Sequence, residues 1–277
     1  MLDKNTNPTI LVIDSGVGGF SILYEVKKII KNVNYIYVFD NEEFPYGKKT
    51  KQFLLSRVIK IINSVCKIHS IDIIIIACNT LSTVSLPLLR RYFICPIIGV
   101  LPAIKLAAKI TRSRVIGLLA TQTTINSNYT NVLIKKLASS YKIIPFIATK
   151  LVYLAEDKFH GKIISLIIFK NILNAWLKQV IKLNLDTIIL GCTHFPLIYE
   201  ELRKIIPKNI KLIYSHKAIA KKALCILKYN NKYNTLLSNN TSTINTIYCL
   251  LFNNNTTILM PKLSKYGFHS MKKLYIY

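Results

Sequence analysis

The sequence predicts an α/β protein made of two similar domains, each a mostly parallel sheet flanked by helices. Apolar, β-branched runs of strand length alternate with segments of helical periodicity, the pattern that builds such sheets. Two of the runs also end alike: "IIIIACNT" (73–80) and "TIILGCTH" (187–194) each close on a small residue, a cysteine and two polar residues. The spacing repeats as well, because 64 residues separate Asp14 from Cys78 and 71 separate Thr121 from Cys192. Two related half-domains with their strand ends facing each other would give this spacing. So would a plain βα array, in which apolar strands resemble one another.

In order along the chain, "TILVID" (9–14) is a β-branched run that "SGVGG" (15–19) breaks. "FSILYEVKKIIKNV" then carries apolar residues at helical spacing, with lysines on the other face. "YIYVFD" (35–40) alternates as a strand and leads through the loop "NEEFPYGKKT" to the helix "QFLLSRVIKIINSVCKI". The strand "IDIIIIA", a helix from near Leu81, the short strand "CPIIGV" and the helix "PAIKLAAKI" follow. The scheme resumes with "VIGLLAT" (115–121), "YKIIPFIA", a long helical stretch through "ISLIIFKNILNAWLKQVIKLN", the strand "DTIILG" and the helix "PLIYEELRKIIP". The Asn-, Thr- and Ser-rich stretch 230–257 reads as loop, and "LSKYGFHSMKKLYIY" as a last helix and strand. Ligands of such folds bind beyond the carboxyl ends of the strands. Asp14, Ser15, Asp40, Cys78, Thr121 and Cys192 all follow strands directly.

The bulk numbers narrow the function classes. A chain of 277 residues forms one large domain or two ordinary ones, and 51% hydrophobic against 18% charged residues excludes disorder over most of it. "MLDKNTNPTI" has no basic-then-apolar segment, and no apolar run approaches the ~20 residues of a membrane helix. A soluble, cytoplasmic protein without a membrane partner is expected. The six cysteines include no CxxC pair, so free thiols are expected rather than a zinc site or disulfide framework, and no metal. Cys66, Cys95, Cys225 and Cys249 read as small buried hydrophobes. A net charge of +26 would suggest an anionic partner such as nucleic acid. Against that, the lysines are scattered singly or in pairs, and Ile, Lys, Asn and Tyr are all plentiful, as an A- and T-biased genome produces.

Cys78 and Cys192 each fall where a buried strand gives way to a helix. Asn79, Thr80 and Ser82 suit the cap of the first helix, and Thr193 and Pro196 the start of the second. A helix N-terminus favours thiolate over thiol, and its free N–H groups bind carboxylates. One cysteine with a histidine would suggest acyl transfer, but His194 has no counterpart beside Cys78. Two thiols suit the transfer of a proton from one face of a carbon to the other, with Asp14 assisting the first and His194 with Glu156 the second.

"VIDSGVGGFSIL", "FDNEEFPYGKKT", "ACNTLSTVSLPLLR", "IGLLAT", "SNYT" and "LGCTHFPLIYEEL" resemble, in order, the signature blocks of the bacterial glutamate racemases of the aspartate/glutamate racemase superfamily. "LAEDKFHG" and "KYGF" are similar to the enteric-type members in particular. The resemblance runs from Thr9 to about Lys222. It implies cofactor-independent interconversion of L- and D-glutamate, which supplies D-glutamate for peptidoglycan and so for cell shape. It implies an active site in the cleft between two α/β domains, placed at 1–100 plus 214–277 and at 101–213. Cys78 would deprotonate the D-isomer and Cys192 the L-isomer, with Asp14 and His194 assisting and Asp40 and Glu156 as supporting acids. Asp14, Ser15, Tyr46, Gly47, Asn79, Thr80, Thr121, Thr124, Thr193 and His194 would bind substrate. Helix capping is the structural alternative for Ser15, Asn79, Thr80, Thr193 and Glu156, and a solvated loop carboxylate for Asp40.

The departures lie at Gln122-Thr123-Thr124, where the family has an Arg-Gly-Thr-type loop, at Tyr214, where an acidic residue is usual, and, after Ser215, at His216 in place of a small residue. The enteric-type members are activated by a peptidoglycan precursor, which makes such a precursor a candidate activator, although only about eight residues precede the first strand. A homodimer is a candidate assembly. Two other readings stand beside this one. An aspartate racemase would use the same thiols with a smaller pocket. A basic nucleic-acid-binding or gyrase-interacting protein would have lost racemisation or kept it as a secondary activity, and intact Cys78 and Cys192 count against that loss.

Overall fold

A computed structural model describes residues 7–229 and 243–277. The chain threads β1 (Thr9–Asp14), α1 (Phe20–Ile29), β2 (Asn34–Phe39), α2 (Lys51–Cys66), β3 (Ile73–Ile76), α3 (Asn79–Tyr92) and β4 (Ile97–Gly99). It continues through α4 (Ile104–Ile110), β5 (Val115–Ala120), α5 (Gln122–Asn126), α6 (Asn128–Leu137), β6 (Lys142–Ile147) and α7 (Thr149–Phe159). After these come α8 (Leu166–Lys182), β7 (Thr187–Leu190), α9 (Tyr199–Ile205), β8 (Lys211–Ile213) and α10 (His216–Lys228). The described chain ends with β9 (Asn245–Cys249), α11 (Asn254–Thr257), α12 (Met260–Ser264) and β10 (Met271–Lys273).

Two compact units result, one of residues 1–100 with 216–277 and one of residues 101–215. The first holds a parallel sheet of order β10-β9-β2-β1-β3-β4, the second one of order β6-β5-β7-β8. Four consecutive strands of the first sheet, β2-β1-β3-β4, repeat the order of the second. The chemistry-bearing positions repeat with them. Ile13 pairs Ile76 and Ala77 N–H donates to the Ile13 carbonyl at 2.7 Å; Leu119 pairs Leu190 and Gly191 N–H donates to the Leu119 carbonyl at 2.7 Å. Cys78 and Cys192 are the next residues in the two units. The spacing in the sequence therefore reflects a repeated architecture.

Local sequence explains the elements. β1, β2 and β3 are buried along their whole length, which only continuous apolar runs can satisfy in a parallel sheet. α1 buries Phe20, Ile22, Leu23 and Val26, and Lys27 and Lys28 in its last turn complement the helix dipole. Thr50 caps α2 through the Phe53 N–H, and Ser165 caps α8 through the Ile167 N–H. Around the second sheet, Ile104, Ala107, Ile116, Leu118, Ala120, Ala138 and Ile189 pack as one cluster.

Some expectations need correction. β9 lies in the stretch expected to be loop and pairs with β2; the part of that stretch at 230–242 lies outside the described residues. Of the four cysteines expected to be buried, only Cys249 is; Cys66 and Cys225 are exposed and Cys95 is half-buried. Cys66 is the last residue of α2, and Cys225 lies on the outer side of α10. No helix among the described residues is long and apolar enough to cross a membrane.

Candidate functional site

The first unit gathers Asp14, Ser15, Asp40, Tyr46 and Cys78 at the carboxyl ends of β1, β2 and β3. Asp14 is fully buried, and its Oδ1 accepts from the Ser15 N–H at 2.6 Å and the Gly16 N–H at 3.2 Å. This folds the glycine-rich turn around the carboxylate. Gly19 must stay bare, since a Cβ there would lie 2.9 Å from the Asp14 Cβ and 2.6 Å from the Tyr37 hydroxyl. Asp40 N–H donates to the Asp14 carbonyl at 2.9 Å, so the two acids are joined through the backbone.

Asp40 is 0% exposed and so is not a solvated loop carboxylate. Arg57 of α2 grips both its oxygens, Nε to Oδ2 at 2.8 Å and Nη2 to Oδ1 at 2.9 Å, and Tyr46 donates its hydroxyl to Oδ2 at 2.7 Å. Burial pushes the Tyr46 phenol well above its usual range; the Asp40 charge and hydrogen bond add to this, and so does Cys78, against a smaller opposing effect of Arg57. Tyr46 is thus a neutral donor within electrostatic reach of Cys78.

Cys78 is itself the N-cap of α3, in extended backbone conformation, and its side chain makes no capping bond. Asn79 and Thr80 are therefore first-turn residues, not caps. Ser82 lies one turn further in, accepts from the Val100 N–H at 3.0 Å and donates to the Ile76 carbonyl at 3.0 Å, locking the start of the helix to β3 and the residue after β4. The Cys78 thiol, 7% exposed, sits at the positive end of a 14-residue helix.

In the second unit Cys192, 8% exposed, has a different setting. The helix expected to start directly after it is a 3-10 turn, Phe195–Ile198, with Pro196 at its start, and α9 begins only at Tyr199. A short turn and a seven-residue helix carry little dipole, and an imidazole stands in its place. His194 Nδ1 lies 3.7 Å from Cys192 Sγ, and its Nε2 lies 3.2 Å from Glu156 Oε2. Burial works against the imidazolium, but hydrogen bonds to Cys192 and Glu156 and their charges outweigh it and hold His194 well above its usual pKa. Glu156 lies inside α7 near its carboxyl end, so it does not cap a helix start.

Lys158, two residues on, ties α7 to the turn through the Leu197 carbonyl at 3.0 Å and to α9 through Glu201 at 2.7 Å. Gly191 lets the strands close, because a Cβ there would meet the Leu119 carbonyl oxygen at 2.9 Å. Thr121 caps α5, accepting from the Thr124 N–H at 3.3 Å and donating to the Thr124 hydroxyl at 3.0 Å, and both are buried. Thr193 is buried next to Cys192. Among the described residues, no three His, Cys, Asp or Glu side chains are grouped to hold a metal ion.

Each unit therefore presents one buried thiol at equivalent strand ends, the first beside a helix N-terminus, the second beside an imidazolium. With that duplication in view, residues 10–223 match the Asp/Glu/hydantoin racemase family. The chain belongs to this family.

Its relatives agree. It is 47% identical over 273 residues to the glutamate racemase of Photorhabdus laumondii, covering 99% of this chain and 93% of that one. It is 46% identical over 269 residues to the glutamate racemase of Serratia proteamaculans, covering 97% and 91%. The crystal structure of Escherichia coli glutamate racemase in complex with L-glutamate and the activator UDP-MurNAc-Ala superposes with a TM-score of 0.88 at 39% identity, covering 98% of this chain and 99% of that one. Sequence reading missed Arg57 and Lys158, which the structure places in ion pairs near the site. Neither follows a strand, and only their partners, Asp40 and Glu201, show what they hold.

Proposed function

We propose that the protein interconverts L- and D-glutamate without a cofactor, by a two-base mechanism in which Cys78 and Cys192 act on opposite faces of the α-carbon. The observation that carries this reading is the duplicated thiol, one residue past the Ala77–Ile13 bond in one unit and the Gly191–Leu119 bond in the other. The glutamate specificity rests on relatives of that name at 46–47% identity over nearly the whole chain.

In the direction from L to D, the Cys192 thiolate takes the α-proton and the electron pair stays on carbon, delocalised into the carboxylate. The Cys78 thiol then gives its proton to the opposite face and is left as thiolate. In reverse the two exchange roles. His194, held protonated by Glu156, balances the Cys192 thiolate, and the N-terminus of α3 favours the Cys78 thiolate. Buried Asp14 lies one residue beyond the β1 position that pairs with Ile76, the strand end leading to Cys78, and is the group to assist it. Ser15, Tyr46, Gly47, Asn79 and Thr80 of the first unit, and Thr121, Thr124, Thr193 and His194 of the second, supply hydroxyl, amide and N–H groups for the ammonium and carboxylates. The product would serve cell-wall synthesis, and the rate measured with and without UDP-MurNAc-Ala reads whether a precursor activates this chain as well.

The test is α-proton exchange in D2O, followed by NMR alongside optical rotation. The parent protein should exchange the proton and lose rotation from either isomer of glutamate. Cys78→Ala should exchange L-glutamate without inverting it and leave D-glutamate untouched, and Cys192→Ala should do the converse. Glutamate that keeps its proton and rotation with the parent protein would overturn the reading, and faster turnover of aspartate would move it to an aspartate racemase.

A further inference from the structure

Asp40 is a buried carboxylate with both oxygens engaged. Oδ1 accepts from Arg57 Nη2, and Oδ2 accepts from both Arg57 Nε and the Tyr46 hydroxyl. Arg57 is only 14% exposed in its side chain and also pairs with Glu42. Its planar fork fixes the carboxylate plane in a way a point charge cannot. The carboxylate in turn fixes the phenol of Tyr46, which heads the 3-10 turn Tyr46–Lys48 and is fully buried. The turn headed by Tyr46 packs against α3, whose N-cap residue is Cys78.

We propose that Arg57 is a positioning residue for the Cys78 half of the reaction, acting through Asp40 and Tyr46 to hold the Tyr46–Gly47 segment and the surroundings of the Cys78 thiol in place. This rests on the racemase reading above. It also gives Asp40 a role at the site without direct contact with substrate. Once Arg57 is removed, the buried carboxylate has lost its counter-ion and two of its three side-chain donors. The carboxylate plane is then no longer set, its bond with Tyr46 is no longer directed, and the turn loses its anchor.

The experiment compares Arg57→Gln, Arg57→Lys, Asp40→Asn and the double variant Arg57→Gln/Asp40→Asn for glutamate racemisation in both directions, with thermal unfolding of each. Arg57→Gln should lower kcat by roughly a hundredfold, the order expected when a reacting group is displaced by about an ångström. Arg57→Lys, which keeps the charge and loses the fork, should fall between it and the parent. In the double variant the orphaned charge is gone, so the melting temperature should recover while kcat stays low, and the kcat effects of the two substitutions should not add.

A kcat for Arg57→Gln within about twofold of the parent, or a double variant that regains parental kcat, would overturn the proposal and leave Arg57 a structural ion pair. If the parent fails to racemise glutamate, the substrate assignment falls by itself. The inference is then read from iodoacetamide labelling at Cys78, resolved by peptide mass spectrometry. A labelling rate changed threefold or more in Arg57→Gln supports it, and an unchanged rate overturns it.

Discussion

At the scale of single residues, the two thiols share a position but not a setting. Cys78 stands at the N-terminus of α3, whereas Cys192 stands beside His194, whose raised pKa is owed in part to Glu156. That difference is testable by pH. The His194 pKa is raised, so the imidazolium is present at and below neutrality and is lost as pH rises through the folded value. Glu156→Gln keeps a hydrogen-bond acceptor and removes the charge, which lowers that value. The alkaline limb of kcat for L-glutamate should therefore move to lower pH, and a limb displaced by about one pH unit lowers the protonated fraction along it about tenfold. The acid limb should not move. Full pH–rate profiles of parent and variant check this, and superimposable alkaline limbs would remove Glu156 from the relay.

At the scale of elements, strands and loops are stitched together by polar groups that periodicity does not reveal. Asp186, just before β7, accepts from the Thr111 hydroxyl at 2.6 Å, the Arg112 N–H at 2.7 Å, the Ser113 N–H at 3.1 Å and the Thr187 hydroxyl at 2.9 Å. It bolts the α4–β5 loop to the strand that delivers Cys192. Burial raises its pKa, but these four bonds outweigh that and bring it from 3.8 down to about 2. A lowered carboxylate pKa contributes stability that is present above the unfolded value and lost as pH falls through the folded one. Asp186→Asn should lower the melting temperature above pH 4, and the gap to the parent should close between about pH 4 and pH 2. A gap that persists at pH 2 would mean the side chain acts by packing rather than charge.

The same contrast explains what could be read in advance. Continuous runs such as "IIII" in β3 announce buried parallel strands, and the polar residues that follow them include Asp14, Asp40, Cys78, Thr121 and Cys192. β9 escaped because "NTIYC" is short, adjoins an Asn- and Thr-rich segment, and becomes a strand by pairing along β2 from Tyr35 to Phe39 and with β10 on its other side. The helix expected directly after Cys192 escaped for the opposite reason. Pro196 does stand at the start of a turn, but it is a 3-10 turn instead of an α-helix, and its N-cap is His194 rather than Thr193, with no side-chain capping bond. Arg57 looks in sequence like any solvated helix cation, and only the tertiary fold gives it Asp40.

At the scale of the whole molecule, a net charge of +26 sits on a small-anion enzyme fold, and the two facts pull toward different partners. Tight duplex binding needs many lysines converging on consecutive phosphates, and its affinity then falls steeply with salt, by about 0.9 log unit per contact for each tenfold rise. Here the cations are spread singly or in pairs along the chain, as at Lys27-Lys28, Lys48-Lys49 and Lys221-Lys222, with no basic arm. A diffuse positive field still attracts a small anion, and raising salt from about 0.01 M to 0.15 M shortens its reach from about 30 Å to about 8 Å. The expected result is that kcat/KM for glutamate declines over that range, while a duplex of random sequence shows no saturation at about 0.15 M salt below the 10⁻⁶ M typical of non-specific binding. Filter binding alongside the racemisation assay makes the comparison. Nanomolar saturation with a slope of six or more phosphates would show that the charge is organised for nucleic acid, and the basic surface would then need a function of its own.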